Sequence, residues 1–332
     1  LKKIKERSIL YLEEVLKRGN MASENQDIIF IDVGGTNTRI YRFDGKTLEA
    51  EKICVFRPKN SRELKSRVVK EVVRKERRSL KKIGICACFA GRVLKDGKKA
   101  SVTNWGETFN IEKLFDFLDS KRGVFVNDAE AAIVGLDFIK EKIKKEIVFG
   151  RKENIIKKPF SLLYLGTGLG AAVFYDSAIV SEFSALKIPF TDGEKKQLKI
   201  KKEFLFDDLV SGRGLSTFAR LLYNRSLTPE KISEEILKGK MEEAGKIFAR
   251  VLGRAAKNFA LTIPAQTIFL GGKPTEPFVE RFYKEFIKEF LSDKINSWWL
   301  KEIAILKLDP NLDLPFEGLK FLATKMIKEK RD

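Results

Sequence analysis

Ile28-Ile-Phe-Ile-Asp32-Val-Gly-Gly-Thr-Asn-Thr-Arg39-Ile-Tyr-Arg-Phe43 sets an apolar run against an alternating one across a glycine turn. The first run reads as a buried strand and 38–43 as its hairpin partner, with Asp44-Gly45 making the next turn. Glycines such as Gly34 and Gly35 let a backbone come close to a phosphate and turn its N–H groups toward it, and Thr36 and Asn37 add polar side chains. Asp32, at the strand end, is placed to hold a hydrated Mg²⁺ facing those phosphates. A plain tight hairpin would use the same residues, and for Gly34-Gly35-Thr36 alone it would be preferred. The second half of the chain changes that balance. Phe160-Ser-Leu-Leu-Tyr-Leu165 is again an apolar strand, Gly166-Thr-Gly-Leu-Gly170 a glycine loop, and 171–175 the returning strand. Two such loops facing one cleft would clamp a polyphosphate from both sides.

Outward from these hairpins the pattern alternates. In the first half it predicts a strand at 49–56, a helix over 61–78, a strand at 83–89, a helix at 111–118, a strand at 123–126 and a helix over 128–139. In the second, helices are expected at 203–224, 229–238, 241–262 and 277–291, strands at 267–270 and 303–308, and a last helix at the C-terminus. Two units that each open strand, Gly-Thr turn, strand predict a duplicated α/β domain around a central cleft. The expected boundaries are a helical extension at 1–24, a small α/β domain at 25–138 completed by a helix at 310–332, and a large α/β domain at 139–309.

Composition limits the chemistry. The 332 residues hold 65 Lys+Arg, 46 Asp+Glu and no His. Ser-His-Asp and Cys-His systems, His-ligated zinc and imidazole shuttles are therefore excluded, and a general base must be a carboxylate, Lys, Tyr or Cys. Cys54, Cys86 and Cys88 are too few for a disulfide framework and read as small hydrophobes in a reducing compartment, which predicts a cytoplasmic protein. No apolar stretch reaches the roughly 18 residues of a membrane span. Residues 1–20 lack the apolar core of a signal peptide and read as a short amphipathic helix. The net charge of +19 is spread over nearly every predicted helix, with acids alternating, as in Lys284, Glu285, Lys288 and Glu289. That is the pattern of an ion-paired surface, common in heat-adapted proteins, rather than of a nucleic-acid face.

Other nucleotide signatures fail. Gly45-Lys46-Thr47 lacks the earlier glycine of a P-loop, since position 40 is Ile, and Gly166–Gly170 lacks the spaced Rossmann pattern. Asn127-Asp128 stands at a strand–helix junction, where a helix N-terminus favours an ionised carboxylate. It reads as a simple N-cap and, compatibly with that, as a carboxylate that accepts a hydroxyl proton during phosphoryl transfer.

Taken together these stretches resemble the bacterial-type glucokinase family, within the hexokinase, actin and heat-shock ATPase superfamily. The matching segments are Asp32–Arg39, Thr103-Asn-Trp105, Val126-Asn-Asp-Ala-Glu130, Gly166–Gly170, Ser211-Gly-Arg-Gly-Leu215 and Phe269-Leu-Gly-Gly272, in that family's order. The resemblance implies duplicated ribonuclease-H-like, actin-like ATPase domains, ATP and Mg²⁺ as cofactors, and a sugar as acceptor. It implies that Gly34, Gly35, Thr36, Asn37, Gly166, Thr167 and Gly168 cradle the ATP phosphates and that Gly271 and Gly272 pass beside the adenosine. Asp128 would be the catalytic base, with Asn104 and Asn127 on sugar hydroxyls. Asp207, four residues before Ser211, falls where the family has a sugar-binding Glu.

One stretch departs from the family. Its sugar loop, roughly Gly-Glu-Gly-Gly-His, corresponds here to Glu182-Phe-Ser-Ala-Leu-Lys-Ile188, with Ala185 and Ile188 nearest the missing Glu and His and Glu182 the offset substitute. The next segment, from Asp192, reads as a charged loop. Three readings remain open: a glucokinase, a kinase of another hexose, amino sugar or polyol, and a non-catalytic nucleotide-binding relative. The expected partners are a small sugar and, as assembly, a homodimer, with no membrane and no nucleic acid.

Overall fold

A computed structural model describes residues 27–75, 83–94, 96–118, 123–143, 145–150 and 158–328. The helix expected at 1–20 lies outside them. Contacts divide the chain into two compact units. One comprises the described residues through Ile139, Asp176–Ala178, and those from Asp313 onward; the other comprises Lys140–Tyr175 and Ile179–Leu312.

The first unit contains β1 (Ile28–Val33), β2 (Thr38–Phe43), β3 (Ala50–Phe56), β4 (Gly84–Phe89), β5 (Lys99–Ser101), β6 (Thr108–Asn110) and β7 (Gly123–Asn127). Five of them form a sheet in the order β3-β2-β1-β4-β7, while β5 and β6 pair separately. β1 runs antiparallel to β2 and parallel to β4, and β4 parallel to β7. Every residue of β1 and β4 is buried, which is why both read as unbroken apolar runs: the sheet is covered on both faces. On one face Ile29, Ile31, Val33, Ile85, Ala87 and Phe89 join Leu64, Val68 and Val72 of helix Ser61–Lys75. The opposite face meets helix Leu314–Lys328, where the Phe316 ring contacts Phe30 and Tyr41. That helix crosses helix Asp128–Ile139 at two glycines. A Cβ on Gly135 would lie 2.5 Å from the Leu314 carbonyl oxygen, and one on Gly318 would overlap the Ala131 carbonyl. The crossing is thus close enough to exclude any side chain.

The second unit contains β8 (Lys145–Phe149), β9 (Phe160–Leu165), β10 (Leu169–Phe174), β11 (Ala178–Ser181), β12 (Thr267–Gly271) and β13 (Ala304–Leu308). Their order is β11-β10-β9-β12-β13-β8. β9 is antiparallel to β10 and parallel to β12, β12 is parallel to β13, and β8 is antiparallel to β13. Without β8 this sheet repeats the first strand for strand, with a hairpin edge followed by two parallel crossovers. The duplication expected from the opening hairpins therefore extends through five strands of each sheet. The 21-residue helix Glu242–Thr262 supplies Phe248, Leu252 and Phe259 to a core shared with Leu163, Ile268, Leu270 and Ile305.

Four expectations are corrected. The helix predicted over 203–224 is two, Phe206–Leu209 and Gly212–Tyr223, because Ser211 takes the N-cap of the second and accepts the Gly214 N–H. The helix predicted over 277–291 breaks at Phe282 into Glu276–Arg281 and Tyr283–Phe290; the Phe282 ring packs where Gly245 leaves room. The charged segment from Asp192 is a helix, Asp192–Gln197, started by a capping box between Thr191 and Glu194. The helix at 111–118 closes after one turn, Ile111–Leu114. Among the described residues no helix is long and apolar enough to cross a membrane.

Candidate active site

In the first unit the hairpin register sets Asp32 opposite Arg39, and the parallel pairing with β4 sets it beside Cys88. Arg39 Nη1 donates to Asp32 Oδ2 at 2.5 Å, and the Cys88 thiol to Oδ1 at 3.5 Å. Asp32 is 3 % exposed. Burial pushes its carboxyl above the usual range against the pull of the Arg39 cation, and Asp313, 4.0 Å from the same guanidinium, adds to the rise. Cys88 is raised as well, by burial, then by Asp32, then by Asp128. The register sets Asp32 beside Cys88 on β4 and Cys88 beside Val126 on β7, so Asp32 and the Asn127-Asp128 pair lie toward the same end of this sheet. With Cys86 also buried and pushed up, neither thiol is a nucleophile at neutral pH.

The loop above this pair is closed by the Gly34 N–H donating to the Asn37 carbonyl at 3.0 Å, and a Cβ on Gly34 would stand 2.9 Å from that oxygen. Its outer carbonyls are anchored from elsewhere in the unit. Asn104 Nδ2 donates to Gly35 O, and Arg57 Nε to Thr36 O at 3.3 Å. Asn104 is therefore an anchor of the first glycine loop, a contact that nothing in the sequence announced. Sequence distance hides it, since nothing local marks position 104 as a neighbour of position 35.

At the end of β7, Asn127 turns its amide NH₂ to the Gly91 carbonyl (2.7 Å) and its oxygen to the N–H groups of Ala129 (2.8 Å) and Glu130 (3.3 Å). It caps helix Asp128–Ile139. Asp128 is the first helical residue, and its Oδ1 also accepts from Ala129 at 2.9 Å. Of the two roles expected at Asn127-Asp128, these contacts are those of the N-cap. Asn127 carries most of the cap, and Asp128 shares it through the Ala129 N–H.

In the second unit the Gly166 N–H closes on the Gly168 carbonyl at 2.9 Å, while the Gly166 carbonyl accepts the Gly212 N–H at 2.9 Å. Arg213 Nε donates to Thr167 O at 3.0 Å, and its Nη2 pairs with Asp207 Oδ2. Asp207 Oδ1 takes the Leu169 N–H at 2.8 Å. Both oxygens of Asp207 are thus engaged by the loop and by Arg213. Gly272 (φ +95°) lies against β9 so closely that a Cβ would overlap the Leu165 carbonyl, and Thr275 donates twice to the Gly272 carbonyl. Gly271, the last residue of β12, leaves 3.0 Å between a Cβ and the Tyr164 ring.

The divergent segment is a packing element. Phe183 stacks on Phe206, Ile188 is 7 % exposed in the core of the unit, and the backbone pairs with the stretch Phe204–Phe206. Glu182 is exposed, and its carbonyl accepts the Ala185 N–H. Arg254 fixes the neighbouring stretch, Pro189 to Glu194. It donates to the Pro189 carbonyl and to both oxygens of Glu194, and its Nε reaches Glu289 at 2.9 Å.

Among the described residues no three His, Cys, Asp or Glu gather as a metal cluster. Asp32 Oδ2 is paired with Arg39 and Oδ1 accepts the Cys88 thiol, so a Mg²⁺ ion beside it would be held through water rather than directly.

These features match known proteins in fold and in sequence. A solved glucokinase from Balamuthia mandrillaris, in complex with glucose, superposes with a TM-score of 0.79 at 20% identity, covering 97% of this chain and 98% of its own. A ROK family glucokinase from Streptomyces griseus, in complex with glucose and AMPPNP, gives 0.65 at 17%, covering 90% and 99%. Both share the duplicated actin-like ATPase fold. A glucokinase of Helicobacter pylori (strain J99) is 25% identical over 288 residues, 78% of this chain and 84% of that protein. One of Colwellia psychrerythraea is 25% identical over 257 residues, 70% and 76%. The sequence pattern that defines glucokinases matches residues 29–306, a span that begins inside β1 and takes in both glycine loops and the Asn127-Asp128 pair, and by that match the chain belongs to the glucokinase family.

Proposed function

We propose that the protein is an ATP- and Mg²⁺-dependent sugar kinase that transfers the γ-phosphoryl group to the 6-hydroxyl of glucose. The observation that supports this reading is the place of Asp128, the first residue of the helix that follows β7 and inside the span matched by the glucokinase pattern. There the helix N-terminus favours a carboxylate, and Asp128 would accept the proton of the sugar hydroxyl. The loops 34–37 and 166–168 would hold the phosphates through backbone N–H groups, and Gly271 and Gly272 would border the adenosine. Bound Mg²⁺, near Asp32, would neutralise charge on the phosphoryl oxygens. Catalysis is then mostly positioning and charge stabilisation. Three cysteines outside any disulfide, two of them buried, support a reducing, cytoplasmic setting.

A second reading, transfer to another hexose, an amino sugar or a polyol, draws on the divergent segment. Ile188 is core, and Asp207 is occupied by Arg213 and Leu169, so two positions the resemblance gives to sugar hydroxyls are spent on packing and loop support. ADP release measured with ATP, Mg²⁺ and a panel of glucose, other hexoses, amino sugars and polyols separates these. The highest kcat/KM on glucose supports the first reading, and a different best acceptor the second. Tight ATP binding without turnover on any acceptor overturns both in favour of a non-catalytic relative.

A further inference from the structure

The peptide group is planar and trans, so a carbonyl pinned in one direction aims the N–H of the next residue in the opposite one. Two consecutive carbonyls of the second glycine loop are pinned to the same element, the start of helix Gly212–Tyr223. Gly166 O accepts the Gly212 N–H, and Thr167 O accepts Arg213 Nε at 3.0 Å. The N–H groups of Thr167 and Gly168 are therefore both aimed away from that helix, the arrangement in which successive backbone N–H groups receive an anion.

We propose that Arg213 is a positioning residue for the nucleotide phosphates, acting by holding this loop in its anion-receiving shape. The guanidinium closes a circuit around Gly168: it holds Thr167 O on one side and Asp207 on the other, and Asp207 Oδ1 holds the Leu169 N–H at 2.8 Å. A side chain at position 168 would overlap the Asp207 carboxylate, so the circuit and the glycine require one another. Arg213 is itself fixed, because Ser211 both caps its helix and donates to the Asp207 carbonyl at 3.0 Å. A methionine or lysine offers no planar fork that reaches two acceptors at once. The same circuit removes Asp207 from the sugar: its charge is paired and both of its oxygens are engaged.

This inference rests on the proposed kinase function, and binding measurements separate the two. ADP is titrated calorimetrically into the wild type, Arg213→Met and Arg213→Lys, and KM for ATP and for the best acceptor is measured beside it. Arg213→Met is expected to weaken ADP binding and raise KM for ATP by about tenfold, the loss of a charge-assisted pair of hydrogen bonds, with the acceptor KM changed less than about twofold. Arg213→Lys, which keeps the charge and one donor direction, should fall between, and it carries the test if the methionine variant does not fold. A purely structural role would lower the melting temperature and leave the ADP affinity of the folded protein unchanged. That result overturns the inference, as does a defect confined to the acceptor KM. A wild-type protein that binds no adenine nucleotide overturns the kinase reading and the inference together.

Discussion

The two glycine loops grow from the same strand-turn-strand design and are supported by different chemistry. The first is anchored by a neutral amide, Asn104 on Gly35, and by an exposed Arg57 on Thr36; its ion pair, Arg39–Asp32, lies below it at the root of the hairpin. The second is gripped directly by charge, through Arg213 and Asp207. The same contrast extends through the two units. Asn127 caps helix Asp128–Ile139 with uncharged groups, whereas Arg254 holds the divergent segment through Glu194 and Glu289. Duplication preserved the strands, because a buried parallel sheet tolerates little beyond apolar residues. The supports come from loops and helices that pair with nothing equivalent, and they were free to diverge. The contrast predicts that the loop and segment supports of the second unit depend on charge more than those of the first, whose buried pair Arg39–Asp32 lies below its loop.

The largest effect tests the first unit. Asp128→Asn should lower kcat by on the order of 10²–10⁴ while the melting temperature stays near that of the wild type, since most of the cap belongs to Asn127. Near-normal turnover in this variant would remove Asp128 as the base. A large loss of stability instead would show that the first unit also leans on charge, and the comparison would fail.

Next is the ion network of the second unit. Arg254→Met removes the buried cation that Glu194 and Glu289 share and should cost about 3–5 kcal/mol in urea unfolding. Burial alone would raise the Glu194 carboxyl, but hydrogen bonds from Arg254 and Thr191 outweigh it and hold the group below its ordinary value. A carboxylate held low in the folded state contributes stability that is full above its unfolded pKa of about 4.3 and is lost as pH falls through the lower folded value. Wild-type stability should therefore decline below about pH 4, and Glu194→Gln should flatten that decline. An unchanged acid profile in the variant would sink the role of Glu194.

Much of the candidate site is legible in the sequence. Asp32, both loops, Gly271-Gly272 and Asn127-Asp128 announce themselves because each is a local pattern: a strand end, a glycine pair, a cap. Their supports are hidden, for Asn104 to Gly35 and Arg213 to Thr167 are meetings between distant parts of the chain. Charge misleads in one place. Asp192-Gly-Glu-Lys-Lys-Gln197 reads as a solvated loop, but the capping box and the buried Arg254 partner make it a helix. Continuous periodicity misleads in another, since 203–224 carries helical spacing through Ser211, a residue whose side chain ends one helix run and starts the next.

Gly168→Ala narrows the comparison to the loop itself. The new methyl group displaces the Asp207 carboxylate, whereas at Gly34 it meets the backbone carbonyl of Asn37. KM for ATP should rise about tenfold in Gly168→Ala. Adding Asp207→Ala should worsen it less than about twofold, because residues of one circuit are not additive. Additive losses would mean that Asp207 acts somewhere other than on the loop.

The smallest effect is the most discriminating. The family resemblance gives Asn104 to a sugar hydroxyl, yet its amide donates to Gly35 O. Asn104→Ala removes one net hydrogen bond, roughly 1 kcal/mol, so KM for ATP should rise about fivefold with the acceptor KM unmoved. If the acceptor KM rises instead, Asn104 is a sugar ligand and the first loop keeps its shape without it. The first loop would then stand on its own turn and on Arg57, and the contrast with the charge-gripped second loop would be wider than the hydrogen bonds alone suggest. If both constants rise together, the loop anchor and the sugar contact are one residue, which would couple acceptor binding to the phosphate loop through a single amide.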